Sequence, residues 1–373
     1  MMQHQRYHGL DALRAFAMLL GLVLHASQVY MRPDFLNLFA PWVTTPAPAA
    51  TALTDMTAIW IHLWRMPAFF LLAGFFAQMM LERRGTWAFL KDRFVRIFLV
   101  LILADAAYAA WRGYPFGTLA HLWFLWILTV LCIVAPFTAR IARPWLFERL
   151  WRILLIIPPM ALLGLWNRNN VWQDVPNTFW DPQFSAFAMY GAYFILGQTL
   201  WAGRAVLGWF ARFEVFVPLI VVGFAAHGLL GAYYFAPMPE IVRQTGITVT
   251  SLSLVFGLVG LAERMIQRPY RAVTLGIEMA YFIYIIHLYI VYELSAWAVQ
   301  AGWPQSVAIV VVSCAGLGIS AVLYLLLARY TPLNWLLAGY KNSWFKWPFG
   351  PNGHRSKAQD NKAHGSSKCT SDA

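Results

Sequence analysis

The sequence predicts an all-α, polytopic integral membrane protein, built as one bundle of about ten transmembrane helices. Hydrophobic residues make up 60% of its 373 residues and charged residues only 12%, whereas a soluble domain carries about a quarter charged residues. The apolar residues are gathered in runs that approach the roughly 20 residues needed to cross a bilayer. Because lipid-exposed backbone must satisfy its own hydrogen bonds, each run is predicted to be a helix.

Ten apolar runs are predicted to form these helices. They lie at residues 10–31, 57–80, 94–111, 119–138, 152–166, 184–202, 214–235, 247–262, 275–299 and 304–328. The fifth and eighth runs are short, and Pro158 and Pro159 interrupt the fifth. The fifth run is retained because its removal would reverse the orientation of every later run and spoil the charge distribution described next.

The basic residues predict how the bundle is oriented. With the N-terminus in the cytoplasm, the cytoplasmic loops hold most of the loop Lys and Arg residues, and the opposite loops hold only Arg32, Arg112, Arg168 and Arg243. This asymmetry follows the positive-inside rule and predicts that both termini are cytoplasmic. Residues 1–338 are predicted to form the membrane domain, and residues 339–373 a basic, disordered cytoplasmic tail.

The composition also excludes several classes of function. The net charge of +12 would suit a nucleic-acid-binding protein, but the basic residues lie in short loops and in the tail, so no nucleic-acid partner is expected. The partner that surrounds this chain is the lipid bilayer. Cys132, Cys314 and Cys369 show neither metal-site nor disulfide-framework spacing. No metal is expected, and no nicotinamide or flavin motif is present.

The first run carries two ionisable residues, Arg14 and His25. Eleven helical positions bring them to within roughly 20° of the same face and about 16 Å apart along the axis. Placing an ionisable group inside a membrane span costs free energy, so such a group is first interpreted as functional. An arginine near the cytoplasmic end and an imidazole deeper in the membrane indicate a path through the protein.

Two further basic groups have both a functional and an ordinary interpretation. His62 and Arg65 are i,i+3 neighbours in the second run, just before Pro67. Arg65 either lines a polar cavity or extends to lipid headgroups. Arg93 and Arg96 lie one turn apart at the cytoplasmic mouth of the third run. They are either a positive-inside cluster or, beside Arg14, a site for the phosphates of a cytosolic ligand.

Histidines recur at a similar predicted depth in five runs. They are His25, His62, His121, His227 and His287. Any one of them can be a hydrogen-bonded packing residue, but five together favour proton transfer, since a neutral imidazole accepts a proton near neutral pH. Trp123 follows His121 closely, and Tyr284 is one turn before His287. These four residues are predicted to contact a polar substrate.

Five segments of the chain resemble, in order, the motifs of the membrane acyltransferase 3 family. The segments are Asp11-Ala12-Leu13-Arg14 with His25, residues 65–76, Arg93-Phe94-Val95-Arg96, His121-Leu122-Trp123-Phe124-Leu125, and Tyr281 to His287. The resemblance covers roughly residues 8–330. One departure is Ala73, which stands where many members have a serine.

The resemblance implies a bacterial inner-membrane enzyme that transfers an acyl group from cytosolic acyl-CoA to a sugar hydroxyl on the other side. Acyl-CoA, either succinyl-CoA or acetyl-CoA, is then the donor substrate, and the family branch that succinylates periplasmic glucans is the most similar. Partners would be a glycan acceptor and membrane proteins of glucan synthesis.

The same resemblance assigns roles to the candidate residues. His25 would act as general base or acyl carrier, with Arg14, Arg65 and His62 as further catalytic groups. Arg93 and Arg96 would bind the donor. The acceptor would be bound by His121, Trp123, Tyr284 and His287. A proton-coupled secondary transporter or glycan exporter is the alternative, although no inverted repeat is evident.

Overall fold

The structure is a computed structural model that describes residues 7–167, 175–233, 238–268 and 270–337. These residues are predominantly helical and contain no β-strand, which confirms the all-α prediction. The predicted tail at 339–373 and the loop residue Arg168 lie outside the described ranges.

The described residues form fifteen α-helices. They are α1 His8–Met31, α2 Pro33–Phe39, α3 Ala52–Arg84, α4 Thr86–Arg93, α5 Leu99–Arg112, α6 Trp123–Thr138, α7 Trp145–Glu148, α8 Ile157–Trp166, α9 Phe184–Ala202, α10 Leu207–Phe210, α11 Phe213–Tyr233, α12 Glu240–Met265, α13 Arg271–Gln300, α14 Gln305–Leu323 and α15 Pro332–Leu337. A π-helical turn, Phe94–Phe98, joins α4 to α5, and a 3₁₀ turn, Ala120–Leu122, precedes α6.

Eight helical segments in the described residues are long and apolar enough to cross a membrane, which confirms the polytopic bundle. Two other predicted spans correspond to shorter or more polar elements. The fifth is the short apolar segment Trp151–Trp166, and the sixth is α9, which carries Gln198 and Thr199 in its interior. The expectation of a short eighth span was wrong, because α12 extends over 26 residues.

The bundle has two ends, which we name by α1. The end where α1 begins is the N-terminal face, and the end where α1 finishes is the far face. At the N-terminal face, the backbone N–H of Leu10 donates to Glu263 at the end of α12. At the far face, the backbone N–H of Thr44 donates to Gln300 at the end of α13. Successive spans run in opposite directions. Each of these contacts therefore joins segments that lie at the same end of the bundle.

Two glycines let α3 and α9 pack closely. A Cβ atom on Gly74 would collide with the backbone of Phe194, and one on Gly197 with the backbone of Leu71. Small residues of this kind permit close approach of helix backbones in membranes. Gly74 therefore has a packing role in the contact between α3 and α9. Helix α1 packs against α3, α12, α13 and α14.

Candidate functional site

Three histidines meet inside the bundle. His25 comes from α1, His287 from α13 and His121 from the turn before α6. The ring centroids of His25 and His287 are 5.1 Å apart, and those of His121 and His287 are 5.5 Å apart. His287 and His121 are buried, and His25 is half-buried. We call these three residues the imidazole cluster; His287 is its centre because its ring contacts both of the others.

Arg65 of α3 brings a positive charge to this cluster. Its side chain is 9% exposed, and its guanidinium lies against Gly21 of α1. A Cβ atom on Gly21 would come within 2.5 Å of Arg65 Nη1 and 3.2 Å of His287 Nε2. Gly21 therefore provides the space in which Arg65 and His287 approach each other. A guanidinium held in a site of low polarity attracts negative charge more strongly than one in water.

The hydrogen bonds of His287 fix its tautomer. Its Nδ1 lies 2.6 Å from the carbonyl oxygen of Tyr284 and 3.1 Å from that of Ile283. A carbonyl oxygen only accepts, so neutral His287 carries its proton on Nδ1 and its lone pair on Nε2. This Nε2 is buried and makes no hydrogen bond to the residues that the structure describes. It is therefore available to accept a proton from a bound hydroxyl group.

His25 is oriented by its own helix. Its Nδ1 lies 2.7 Å from Oε1 of Gln28, one turn further along α1. With the amide oxygen as acceptor, Nδ1 carries the proton and Nε2 has the lone pair. The ring of Tyr292 lies 6.5 Å away on the side of α13. His25 thus faces α13 in the interior of the bundle rather than the lipid.

Two hydrogen bonds with α13 hold His121 in place, and a third, from Tyr108, shares one of their acceptors. Its Nε2 lies 2.9 Å from the carbonyl oxygen of Ile285, and the hydroxyl of Tyr284 donates to the His121 carbonyl at 2.7 Å. The hydroxyl of Tyr108 donates to the same Ile285 carbonyl. The Tyr284 hydroxyl is therefore a positioning group for His121 in this structure. Its predicted contact with a substrate stays a prediction.

The backbone just before His121 is strained. Ala120 has a φ of 41°, a left-handed conformation that costs a non-glycine residue roughly 1–2 kcal/mol. Such strain persists only where surrounding contacts hold it, and it clusters at functional sites. Here it lies beside the hydrogen bonds of His121, at the point where the chain enters α6.

The remaining predicted residues of the deep site lie around this cluster. His62 is half-buried, one turn before Arg65 on α3, within the range of electrostatic interaction with Arg65. Trp123 stacks on Tyr190, with ring centroids 5.5 Å apart. The roles predicted for His62 and Trp123 stay predictions. His227 lies elsewhere, since its Nε2 is 3.1 Å from the carbonyl oxygen of Met56, and it takes no part in the cluster.

A second group of charged residues lies toward the N-terminal face. Arg14 is 3.2 Å from Asp11, and its guanidinium lies over the ring of Phe76. The guanidinium of Arg93 contacts the sulfur of Met80, one turn after Phe76 on α3. Phe76 and Met80 lie one turn apart on α3, so Arg14 and Arg93 pack side by side against the same face of that helix. We call Arg14, Arg93 and Arg96 the basic cluster.

One carboxylate holds two of these arginines. Asp92 lies 3.1 Å from Arg93 Nη2 and 3.2 Å from Arg96 Nε, so one negative charge is shared by two positive ones. Arg96 belongs to the π-helical turn, and its carbonyl accepts a hydrogen bond from Tyr281 of α13 at 2.7 Å. Single π-helical turns are frequent at functional sites. Because the single carboxylate of Asp92 cannot neutralise both Arg93 and Arg96, the basic cluster keeps a net positive charge that can bind an anionic ligand.

The two clusters are joined by α1. Arg14 and His25 are eleven residues apart on that helix, or about 16 Å along its axis. The structure thus places Arg14 with Arg93 and Arg96, not with the imidazoles. The catalytic role predicted for Arg14 stays a prediction. Among the residues described, no group of three or more His, Cys, Asp or Glu side chains is arranged to hold a metal ion.

The sequence interpretation missed Gly21 and Tyr190. Gly21 precedes His25 by four residues, so helical spacing alone places it on the same face and could have identified it. Tyr190 of α9 is fully buried, lies within electrostatic range of Arg65, and has a hydroxyl without a hydrogen-bond partner in the described ranges. No feature of the sequence separated Tyr190 from the many other aromatic residues.

Comparison with known proteins gives the following. A family model described as acyltransferase domain matches residues 7–325. Glucans biosynthesis protein C of Escherichia coli (strain K12) is 28% identical over 170 residues, which covers 39% of this chain and 40% of the relative. The protein of the same name from Escherichia coli O1:K1 / APEC gives the same identity and coverage. The match thus spans less than half of these relatives. No solved structure matches.

Proposed function

Since the chain belongs to the acyltransferase family whose model matches residues 7–325, we propose that it is a membrane O-acyltransferase that moves an acyl group from cytosolic acyl-CoA to a sugar hydroxyl of a periplasmic or cell-surface glycan. One observation carries this proposal. His25 and His121 both contact His287, and Arg65 lies against Gly21 beside His287. This arrangement offers proton acceptors and a stabilising cation together in the membrane interior.

The proposed orientation places the N-terminal face in the cytoplasm of a bacterial inner membrane. The basic residues of the loops support it, because they concentrate on that face. The donor then meets the basic cluster first. We assign the CoA phosphates to Arg93 and Arg96, with Arg14 beside them, since arginine forks match phosphate oxygens. The pantetheine arm would extend along α1 toward His25.

The transfer itself needs a base for the acceptor hydroxyl. The Nε2 atoms of His25 and His287 carry lone pairs in the tautomers described above. As the hydroxyl oxygen bonds to the thioester carbon, its proton passes to one of these nitrogens. The C–S bond breaks, and the same nitrogen returns the proton to the CoA sulfur. His25 serves either as this base or as a temporary carrier of the acyl group.

Arg65 supports the charge that forms in this reaction. The tetrahedral intermediate places negative charge on the former carbonyl oxygen, and a preorganised cation in a site of low polarity stabilises it. With a succinyl donor, Arg65 or His62 could instead hold the distal carboxylate. The position of Arg65 against Gly21 and close to His287 supports the first assignment.

The acceptor is proposed from the relatives. Their name, glucans biosynthesis protein C, favours a glucan as the acceptor. We propose an osmoregulated periplasmic glucan, with succinyl or acetyl as the acyl group. Membrane proteins of glucan synthesis would then be partners. We propose that this acceptor contacts His121 and Trp123.

The test compares two histidine variants in proteoliposomes supplied with succinyl-CoA or acetyl-CoA and a glucan. His25→Ala is expected to insert, fold and lose product, whereas His227→Ala, whose imidazole only contacts the Met56 carbonyl, is expected to retain activity. Mass spectrometry of the glucan identifies the acyl group. Wild-type product formation by His25→Ala would refute the assignment of His25. Net uptake of solute without consumption of acyl-CoA would favour a transporter instead.

A further inference from the structure

A series of aromatic rings leads from the imidazole cluster to the far face. The rings of His121 and Tyr108 have centroids 5.9 Å apart. Those of Tyr108 and Tyr289 are 4.5 Å apart, and those of Tyr289 and Trp111 are 5.0 Å apart. Each ring therefore contacts the next from His121 outward. The series ends at Trp111, near the last residue of α5, with 63% of its surface exposed.

The positively charged side chain of Arg112 lies beside the exposed end of this ring series. The guanidinium carbon of Arg112 lies 5.4 Å from the centroid of the Trp111 ring and 5.6 Å from that of Tyr289. Its Nη2 donates to the carbonyl oxygen of Phe39 at 2.7 Å. In the part of the chain that the structure describes, no carboxylate pairs with Arg112.

The other described arginines of the far-face loops differ from Arg112. Arg32 is paired with Asp34 at 3.2 Å, and Arg243 is paired with Glu240. Arg112 is instead held by two aromatic rings and by the neutral carbonyl oxygens of Leu38 and Phe39, so no carboxylate of the described residues offsets its charge. A guanidinium held in this way is suited to bind an anionic group.

We propose that Trp111 and Arg112 form an outer binding platform for the oligosaccharide acceptor, with a sugar ring stacked on Trp111 and an anionic substituent of the glycan on Arg112. An exposed indole offers a flat apolar surface that matches the C–H face of a pyranose. The guanidinium offers paired donors for a phosphate or carboxylate. This inference rests on the proposed function, because it names where the acceptor of that reaction binds.

The platform lies at the outer end of the contacts that lead to the buried site. The ring series places Trp111 at the surface and His121 beside the centre of the imidazole cluster. The first sugar binds at the surface and the reacting sugar lies deeper. A glycan longer than one sugar is therefore expected to bind more tightly than a single sugar.

The experiment measures binding and kinetics on the full-length protein in nanodiscs. The probes are a glucose hexasaccharide and the same hexasaccharide carrying a phosphate ester. Trp111→Ala is expected to raise the dissociation constant of both probes about tenfold, and Trp111→Phe to change it by about twofold at most. Arg112→Gln is expected to weaken only the phosphorylated probe, by about tenfold. Values of KM for acyl-CoA are expected to stay constant in all three variants.

Trp180→Ala is the matched control. Trp180 is more exposed than Trp111, at 82%, and lies in another far-face loop outside the ring series. If Trp111→Ala and Trp180→Ala weaken the probes equally, the Trp111 ring is an ordinary residue of the aromatic belt and the platform is wrong. Absence of hexasaccharide binding to the wild-type protein at millimolar concentration would also overturn it.

The two proposals fail in different ways. Retained acyl transfer with wild-type acceptor constants in Trp111→Ala refutes the platform alone. Retained hexasaccharide binding by a wild-type protein that never consumes acyl-CoA refutes the proposed function alone.

Discussion

Replacing Gly21 by alanine tests whether the position of Arg65 matters for the reaction. The added methyl group would lie 2.5 Å from Arg65 Nη1 and 3.2 Å from His287 Nε2. Because non-bonded heavy atoms settle at roughly 3.5 Å, the guanidinium has to retreat by about 1 Å. Arg65 is buried, so this retreat also disturbs the side chains around it.

The expected effect is large on the rate and small on stability. A misplacement of about 1 Å in a site can cost about 10²-fold in rate, or about 2.7 kcal/mol of activation free energy. Alanine is better than glycine within a helix by roughly 0.5–1 kcal/mol, which offsets part of the roughly 1–3 kcal/mol that overpacking costs. We therefore expect kcat to fall about 100-fold, while the midpoint of thermal unfolding shifts by only about a few degrees.

Two other glycines provide controls for this measurement. A Cβ atom on Gly318 of α14 meets nothing within 4 Å, and one on Gly316 would lie 3.3 Å from apolar atoms of Leu22 and Val291. Both alanine variants are expected to keep kcat. The assay follows release of CoA with a thiol reagent at saturating donor and acceptor. A wild-type kcat for Gly21→Ala, or an equal loss for Gly316→Ala, would refute the reasoning.

Two further predictions concern the donor end and the packing of the bundle. Arg96→Gln is expected to raise KM for acyl-CoA about tenfold, whereas Asp92→Asn, which frees both guanidinium groups that Asp92 binds, leaves this KM unchanged or lowers it. Steady-state kinetics at varied donor concentration measure both, and an unchanged KM in Arg96→Gln contradicts the donor role of the basic cluster. Gly74→Ala is expected to lower the unfolding midpoint clearly, because its Cβ atom would meet the Phe194 backbone and overpacking costs roughly 1–3 kcal/mol. Gly228→Ala serves as its control, because a Cβ atom on Gly228 meets nothing within 4 Å. Equal unfolding midpoints for the two variants would show that α3 and α9 can move apart without loss of stability.

The membrane character and much of the helix order followed from the sequence. A bilayer selects runs of apolar residues and forces them into helices, so the predicted runs matched real helices even where their bounds differed. The run at 247–262 shows the limit of this rule. Its helix, α12, begins at Glu240, because polar residues extend a helix beyond the hydrocarbon core and hydropathy does not detect them.

The candidate residues could be named from the sequence, but their partners could not. Helical spacing placed Arg14 and His25 on one face of one helix. It could not place His287 5.1 Å from His25, because that distance depends on how α1 packs against α13. Asp105 illustrates the same limit. It is an acidic residue within the third apolar run, and only the structure shows that it accepts a hydrogen bond from the backbone N–H of Gly117 at 2.7 Å.

The sequence by itself therefore determined which helices form and which of them carry ionisable groups, since both follow from the local order of side chains along the chain. The tertiary structure decided which groups meet. It placed Arg14 with Arg93 and Arg96, left His227 outside the cluster, and placed Arg65 and His287 against the single hydrogen of Gly21. Contacts between distant helices are set by the packing of whole helix surfaces, and no spacing within one helix contains that information.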